Sequence, residues 1–321
     1  ELLTLFFTFV KFFNVIGEKA MKNFQLDQLS MIVDTGDYVK AKEAVLQLFD
    51  FTGFDRDLSK KAALIFDDVR DLYEGKYEGY RACDTEYHNF RHIMDVLLAS
   101  LRLTDAVILS DNYLSHEGIF IITVAALMHD AGYIPETSDP VENGAIYTNI
   151  HVERSIEFMK KYMRSKGYPA LLADKIGQVI LSTELKVDLD KVPFITPEVR
   201  KLAKILGAGD LLGQMADRVY LEKLLFLYRE FKAGGVPGFD SEEDLLEKTI
   251  DFYKQMERRF KNDLEGIDQL AILHFKERYG IESNLYHNGM NNNISYLHFI
   301  LENHKGEHRN YLRRDGLVSK L

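Results

Sequence analysis

One cysteine and six prolines are all that a chain of 321 residues contains. Cys83 has no partner for an internal disulfide, which excludes a disulfide-stapled scaffold and favours a reducing, cytoplasmic setting. So few prolines leave long stretches free to form helices. A basic surplus is lacking too, since 40 Lys and Arg stand against 50 Asp and Glu for a net charge of -10. That balance is the reverse of the footprint of a general nucleic-acid binder or of a protein held on an anionic membrane. No GxxxxGK[ST] phosphate loop occurs, no internal repeat is found, and no alternating runs bounded by hairpin turns stand out. The apolar run over residues 2–16 has Lys11 as its one charge. It is shorter than the ~20 residues a membrane helix needs, so stable membrane insertion is not expected. Residues 1–24 are read as an apolar leader, with Met21 a candidate natural start and no small-residue cleavage site after the run.

What remains is ordinary for a globular protein, 46% hydrophobic and 28% charged, and long enough to bury a core without staples. Apolar residues recur three and four apart nearly throughout. The spacing predicts helices over 37–49, 58–73 (with Ser59 as N-cap), 88–103, 118–130, 152–165, 169–181, 197–206, 211–231, 241–262, 267–279 and 294–302. Breaks fall at 133–149, 186–196, 233–239 and 280–293, and the Asn/Gly stretch 288–293 reads as a loop by composition. The expected fold is all-α, with N-terminal helices over 25–85, a metal-binding core over 86–235 and a C-terminal helical extension over 236–321 packed on it.

Two stretches carry chemistry. In Tyr87-His88-Asn89-Phe90-Arg91-His92-Ile93-Met94-Asp95, the two histidines are four apart, a spacing that puts them on one helical face with Asp95 a turn further on. His129-Asp130 closes the most apolar run of the chain, where ionisable groups are buried and need a partner or a metal. Either pair alone is more often a packed or solvated face than a ligand pair. Together, and followed by Asp210 between two apolar helical runs (Ala208-Gly209-Asp210-Leu211-Leu212), they form an ordered ligand set. Imidazole nitrogens and carboxylate oxygens suit a first-row divalent ion.

These residues resemble the H…HD…D pattern of the HD-domain metal-dependent phosphohydrolases. YHNFRHIMDV is similar to the histidine signature of class I cyclic-nucleotide phosphodiesterases, and the run from Asp210 to Tyr228-Arg229-Glu230-Phe231 is similar to their segment ending in Glu-Phe. The resemblance covers residues 86–235 and implies a phosphodiesterase-like helical fold. It implies His92, His129, Asp130 and Asp210 as ligands of a first ion, Asp130 as a bridge to a second, and His88 as general acid. One or two divalent ions are expected (Mn, Fe, Zn, Ni, Co or Mg), with activated water attacking a phosphoester of a nucleotide or cyclic nucleotide.

The chain departs from the phosphodiesterase signature three residues after Asp130, where Tyr133 stands in place of a histidine. His151 is the candidate second-ion ligand instead, against the alternative that it merely opens a helix. Thr183 and Glu184 match another ligand stretch weakly, and Gln255 is a candidate purine-gripping glutamine by rough position. Two other functions use the same framework: a di-iron oxygenase, which generally carries more histidines at the second ion, and a non-catalytic ligand sensor.

Other signals are set aside. Gly207 to Gly213 (GAGDLLG) has the look of a dinucleotide fingerprint, but no strand precedes it, and close helix packing around Asp210 is the better account. The Asn293 sequon, the tail histidines His298, His304 and His308, and Cys83 are given no site role. Lys160 and Lys161 read as a solvated helix face, and Arg91 is open between that and steering an anion. A small-molecule substrate is the expected partner, and a homodimer is left open.

Overall fold

The computed structural model describes residues 28–321, and the reading of residues 1–24 lies outside them. Helices α1 (Tyr38–Phe51), α2 (Arg56–Tyr73), α3 (Phe90–Leu109), α4 (His116–Met128), α5 (His151–Ser165) and α6 (Ala170–Ile180) lead to α7 (Pro197–Met215). Then come α8 (Tyr220–Ala233), α9 (Glu242–Asn262), α10 (Ala271–Tyr279) and α11 (Leu285–Asn303). Among the described residues the one extended pairing is an isolated antiparallel bridge between Tyr80 and Glu136. The protein is all-α. No described helix is long and apolar enough to cross a membrane.

Side-chain caps start several of these helices, where the backbone N–H groups would otherwise lack acceptors. Asp37 accepts from Val39 N and Lys40 N at the start of α1, and Ser241 accepts from Asp244 N at the start of α9. Asp55, rather than Ser59, caps α2, accepting from Asp57 N at 3.0 Å and Leu58 N at 2.9 Å. Ser59 lies inside the first turn.

Helix α4 is the hub. Every residue from Gly118 to Met128 is buried, as an all-round apolar helix requires, and α2, α3, α6 and α7 pack around it. The most extensive pairing is α3 with α7. Its closeness comes from glycines. A Cβ on Gly209 would overlap Ser100 Oγ, and one on Gly213 would stand 2.9 Å from the backbone of Asp95 and Val96. The GAGDLLG run therefore serves helix packing.

It does so inside one helix, which corrects the division into 197–206 and 211–231. Each interior glycine costs about 1 kcal/mol of helix propensity, but contact with α3 offsets that cost. The real break is at Ala216–Val219. The loop expected over 288–293 is likewise helical, part of α11. Asn293 is buried there, and its amide donates to Met215 O at 3.0 Å and Asp217 O at 2.8 Å, closing the end of α7. Its burial also removes the sequon from solvent. The core runs continuously from Ala41 to Leu312, so the C-terminal helices share it.

Candidate metal centre

Three helix ends and one helix interior supply the site. Asn89 caps α3, its side chain accepting from Arg91 N at 3.0 Å and His92 N at 3.3 Å. His92 thus sits in the first turn, and His88 lies outside the helix, which corrects the single stripe expected from their spacing. His129 is the C-cap of α4, Asp130 follows it, and a 3-10 turn (Ala131–Tyr133) leads away. His151 is the first residue of α5, and Asp210 projects from within α7.

These elements bring four of the expected ligands together. Asp130 Oδ2 stands 3.3 Å from His92 Nε2 and 3.3 Å from His129 Nε2. Asp210 Oδ1 is 3.5 Å from His92 Nε2 and 3.8 Å from His129 Nε2. The two Nε2 atoms are 3.4 Å apart. The other carboxylate oxygen, Asp130 Oδ1, faces His151 Nε2 at 3.7 Å. His92, His129 and Asp130 meet the distance requirement for a shared ion, all three buried.

The donor chemistry fits a dication. Nδ1 of His129 bonds the carbonyl of Ala126 at 2.9 Å, and Nδ1 of His151 bonds that of Thr148 at 2.7 Å. A carbonyl only accepts, so each Nδ1 carries the proton and each neutral ring presents an Nε2 lone pair. Asp130 Oδ2 is buried with no hydrogen-bond partner among the described residues. Two imidazole lone pairs and two carboxylates converging in a buried space repel unless a cation lies between them. Proton affinities tell the same story. Burial works against a charged His92, but Asp130 and Asp210 outweigh it and hold its pKa up to about 10. His129 is raised by Asp130 and Asp210 against the same burial penalty. Asp130 is held well below the usual carboxylate range, the neighbouring histidines overcoming burial. His151, where burial dominates, is lowered. The pocket stabilises positive charge on its His92 side.

The surrounding groups hold this set in position. His88 Nδ1 bonds Glu230 Oε2 at 2.6 Å, while Glu230 Oε1 accepts from Tyr87 N at 2.6 Å. The Tyr133 ring stacks between His88 (4.3 Å) and His151 (4.6 Å). Gly132 lets α5 approach. Its N–H donates to Ser155 Oγ at 2.9 Å, and a Cβ on it would overlap the carbonyl of His151.

Sequence reasoning missed Glu230, Tyr133 and Gly132 as parts of the site. Glu230 lies 142 residues from His88, too far for any spacing rule. Gly132 in HDAGY was the one readable signal, since a glycine beside a ligand pair suggests a close approach.

Other candidates lie elsewhere. Gln255 is exposed on α9. Thr183 Oγ1 donates to Ile180 O, an ordinary helix-end bond. Lys160 pairs with Asp174, and Lys161 with Glu157 and Glu136, as a solvated face does. Burial pushes the Cys83 thiol up to about 11, far from thiolate reactivity. Arg91 faces Asp217 at 3.8 Å and Asp315 at 3.9 Å. Of the tail histidines, His298 is exposed, His308 bonds Glu242 at 3.2 Å, and His304 stacks on Tyr311.

A family model described as Npun_R2479-like matches residues 137–293, a little under half of the chain. The matched stretch contains His151, Asp210 and Glu230, and it begins after His92, His129 and Asp130. No curated protein matches the chain.

Proposed function

We propose that the protein is an HD-type, metal-dependent phosphohydrolase that cleaves a phosphoester, with a nucleotide or cyclic nucleotide as the leading substrate class. The observation that carries this reading is the Asp130 carboxylate. Its Oδ2 is buried and unpartnered opposite His92 and His129, and its Oδ1 faces His151. His92, His129, Asp130 and Asp210 would hold one divalent ion, and Asp130 with His151 a second. Such ions, when bound, lower the pKa of water and neutralise the oxygens of a phosphoryl group.

The chain's own groups do the rest. His88 is the proton donor to the leaving oxygen. Its Nδ1 is engaged by Glu230, so Nε2 is the nitrogen free to give a proton, and its ring lies 5.8 Å from that of His92. Stacking against Tyr133 fixes the plane of the imidazole, which preserves the geometry proton transfer needs. Side chains of His88 and His151 are 14% and 20% exposed against 4% or less for His92 and His129. Substrate therefore approaches from the His88–His151 side. The lone, half-buried thiol and acidic balance go with a cytoplasmic protein.

The test is elemental analysis of purified protein, then chelator-sensitive hydrolysis of cyclic nucleotides, nucleoside phosphates and bis(p-nitrophenyl) phosphate. Asp130→Ala should lose bound metal and activity together, and a variant retaining both would overturn the reading. Among the described residues, His151 is the one histidine paired with Asp130 Oδ1, which favours hydrolysis over the di-iron oxygenase. Iron with substrate-dependent oxygen uptake would reverse that order, and metal without turnover would favour a sensor.

A further inference from the structure

A cavity of about 270 Å³ opens on the side of α3 away from the candidate metal centre. His92 points toward Asp130 and Asp210, whereas Arg91, Asp95, Leu98 and Arg102 form a separate stripe facing this cavity. The opposite walls are residues 28–35, the turn after α7, and the start of α11 with Arg314.

Arg102 is the anomaly. It is 4% exposed, and it has no carboxylate within 4.0 Å among the described residues. Among the described residues its one side-chain hydrogen bond runs from Nη1 to Tyr286 Oη at 2.9 Å, and its Nε is buried without a partner there. The other guanidinium groups around the cavity are matched differently. Arg314 Nε bonds Glu222 at 3.1 Å, and Arg218 faces Asp315 at 3.5 Å. Arg91 makes only the long contacts to Asp217 and Asp315, and its Nε is also buried and unpartnered. Lys223 sits between the carboxylates of Asp95 and Asp217, and neither comes within 4.0 Å of Arg102.

A buried guanidinium without an anion is costly, and a planar fork of donors suits two oxygens of one group. The cavity provides the room beside it. Asp34 and Asp95 on the same walls are acceptors for a donor group elsewhere on the occupant.

We propose that this cavity binds a small organic oxyanion, a carboxylate or phosphate that also carries a hydrogen-bond-donating group, with its anionic end on Arg102. The site is separate from the metal centre and does not rest on the phosphohydrolase reading.

The full chain is titrated with inorganic phosphate and, separately, with glutamate, at ionic strength fixed by chloride. Heat of binding and thermal midpoint are followed for wild type, Arg102→Met and Asp130→Asn. At least one probe should bind saturably, once per chain at this site. Arg102→Met should weaken it more than tenfold, and Asp130→Asn should leave it intact. Phosphate alone or glutamate alone would each support the site and name the oxyanion. Absence of saturable binding by both probes, or equal binding to Arg102→Met, would overturn it. Binding lost in Asp130→Asn but kept in Arg102→Met would assign the anion to the metal centre instead. Should Arg102→Met fail to fold, wild-type protein decides the matter. Phosphate or glutamate should then protect Arg102 from phenylglyoxal, read by peptide mass, and unchanged modification would refute the site.

Discussion

Gly132→Ala tests how the second half of the proposed metal centre is positioned. The added Cβ would overlap the carbonyl of His151 and stand 2.7 Å from Ser155 N and 2.8 Å from Arg154 Cβ. Ordinary contact begins at 3.4 Å, so relief of the Ser155 contact alone moves the start of α5 by about 0.7 Å. The His151 carbonyl demands more. These neighbours are mostly backbone and cannot swing aside as a side-chain tip would. His151 Nε2 already stands 3.7 Å from Asp130 Oδ1, and a further shift approaching 1 Å takes it out of shared reach of an ion. His92 on α3 and Asp210 on α7 are not in that path. On the proposed two-ion reading, the expected result is loss of one ion of two, with the tighter one kept, and a stability cost of about 1–3 kcal/mol from overpacking. Calorimetric titration of the chelated protein with Mn²⁺ or Zn²⁺ reads the stoichiometry, and urea unfolding reads the stability. Wild-type stoichiometry and midpoint in Gly132→Ala would refute the close-approach reasoning.

Glu230→Gln should lower kcat at least tenfold with KM little changed, because the amide keeps a bond to Tyr87 N but loses the charged hold on His88; unchanged kcat would remove Glu230 from the mechanism. His274 is buried against Asp105 at 2.7 Å, and burial lowers its pKa below the usual 6.5. Below about pH 6.5 the unfolded chain then takes up a proton that the folded chain refuses, so stability falls with acid at up to about 1.4 kcal/mol per pH unit from this group. Asp105, held low by His274 and Arg278 against burial, adds its loss only below about pH 4. His274→Asn should flatten the slope of unfolding free energy between pH 7 and 5 in chelator, and an unchanged slope would contradict this. Cys83→Ser should retain hydrolysis, and wild-type Cys83 should react with iodoacetamide far more slowly than a free thiol at pH 8. Fast alkylation would mean the thiol is less buried than it stands here.

Much of the helical order was legible because its causes are local. Asp37 and Ser241 cap the helices that their positions announce, and the apolar run before His129 could hardly avoid the centre of the protein. His92, His129, Asp130 and Asp210 converge for a related reason, since each sits where an apolar helix would bury it. The misreadings share another cause. A glycine-rich stretch reads as a break when only its own propensity is counted, yet Gly209 and Gly213 are made favourable by α3, which a sequence window does not contain. Asn293 looked like loop until it proved to be the group that closes the end of α7. His88 fell off the helix because Asn89 competes for the capping position. Glu230 stood in a motif that the resemblance picked out, but its bond to His88, 142 residues away, had no signal in the sequence.

The glycine contacts have a dynamic consequence. Helix α7 is pinned to α3 at Gly209 and Gly213 and closed at its end by Asn293, so the stretch carrying Asp210 has no weak point of its own. Its amides should exchange with solvent deuterium as one cooperative unit, at the rate of the slowest core of the molecule. A ligand carboxylate on such a unit opens only when much of the protein opens, and bound metal would be released on the timescale of that collective event.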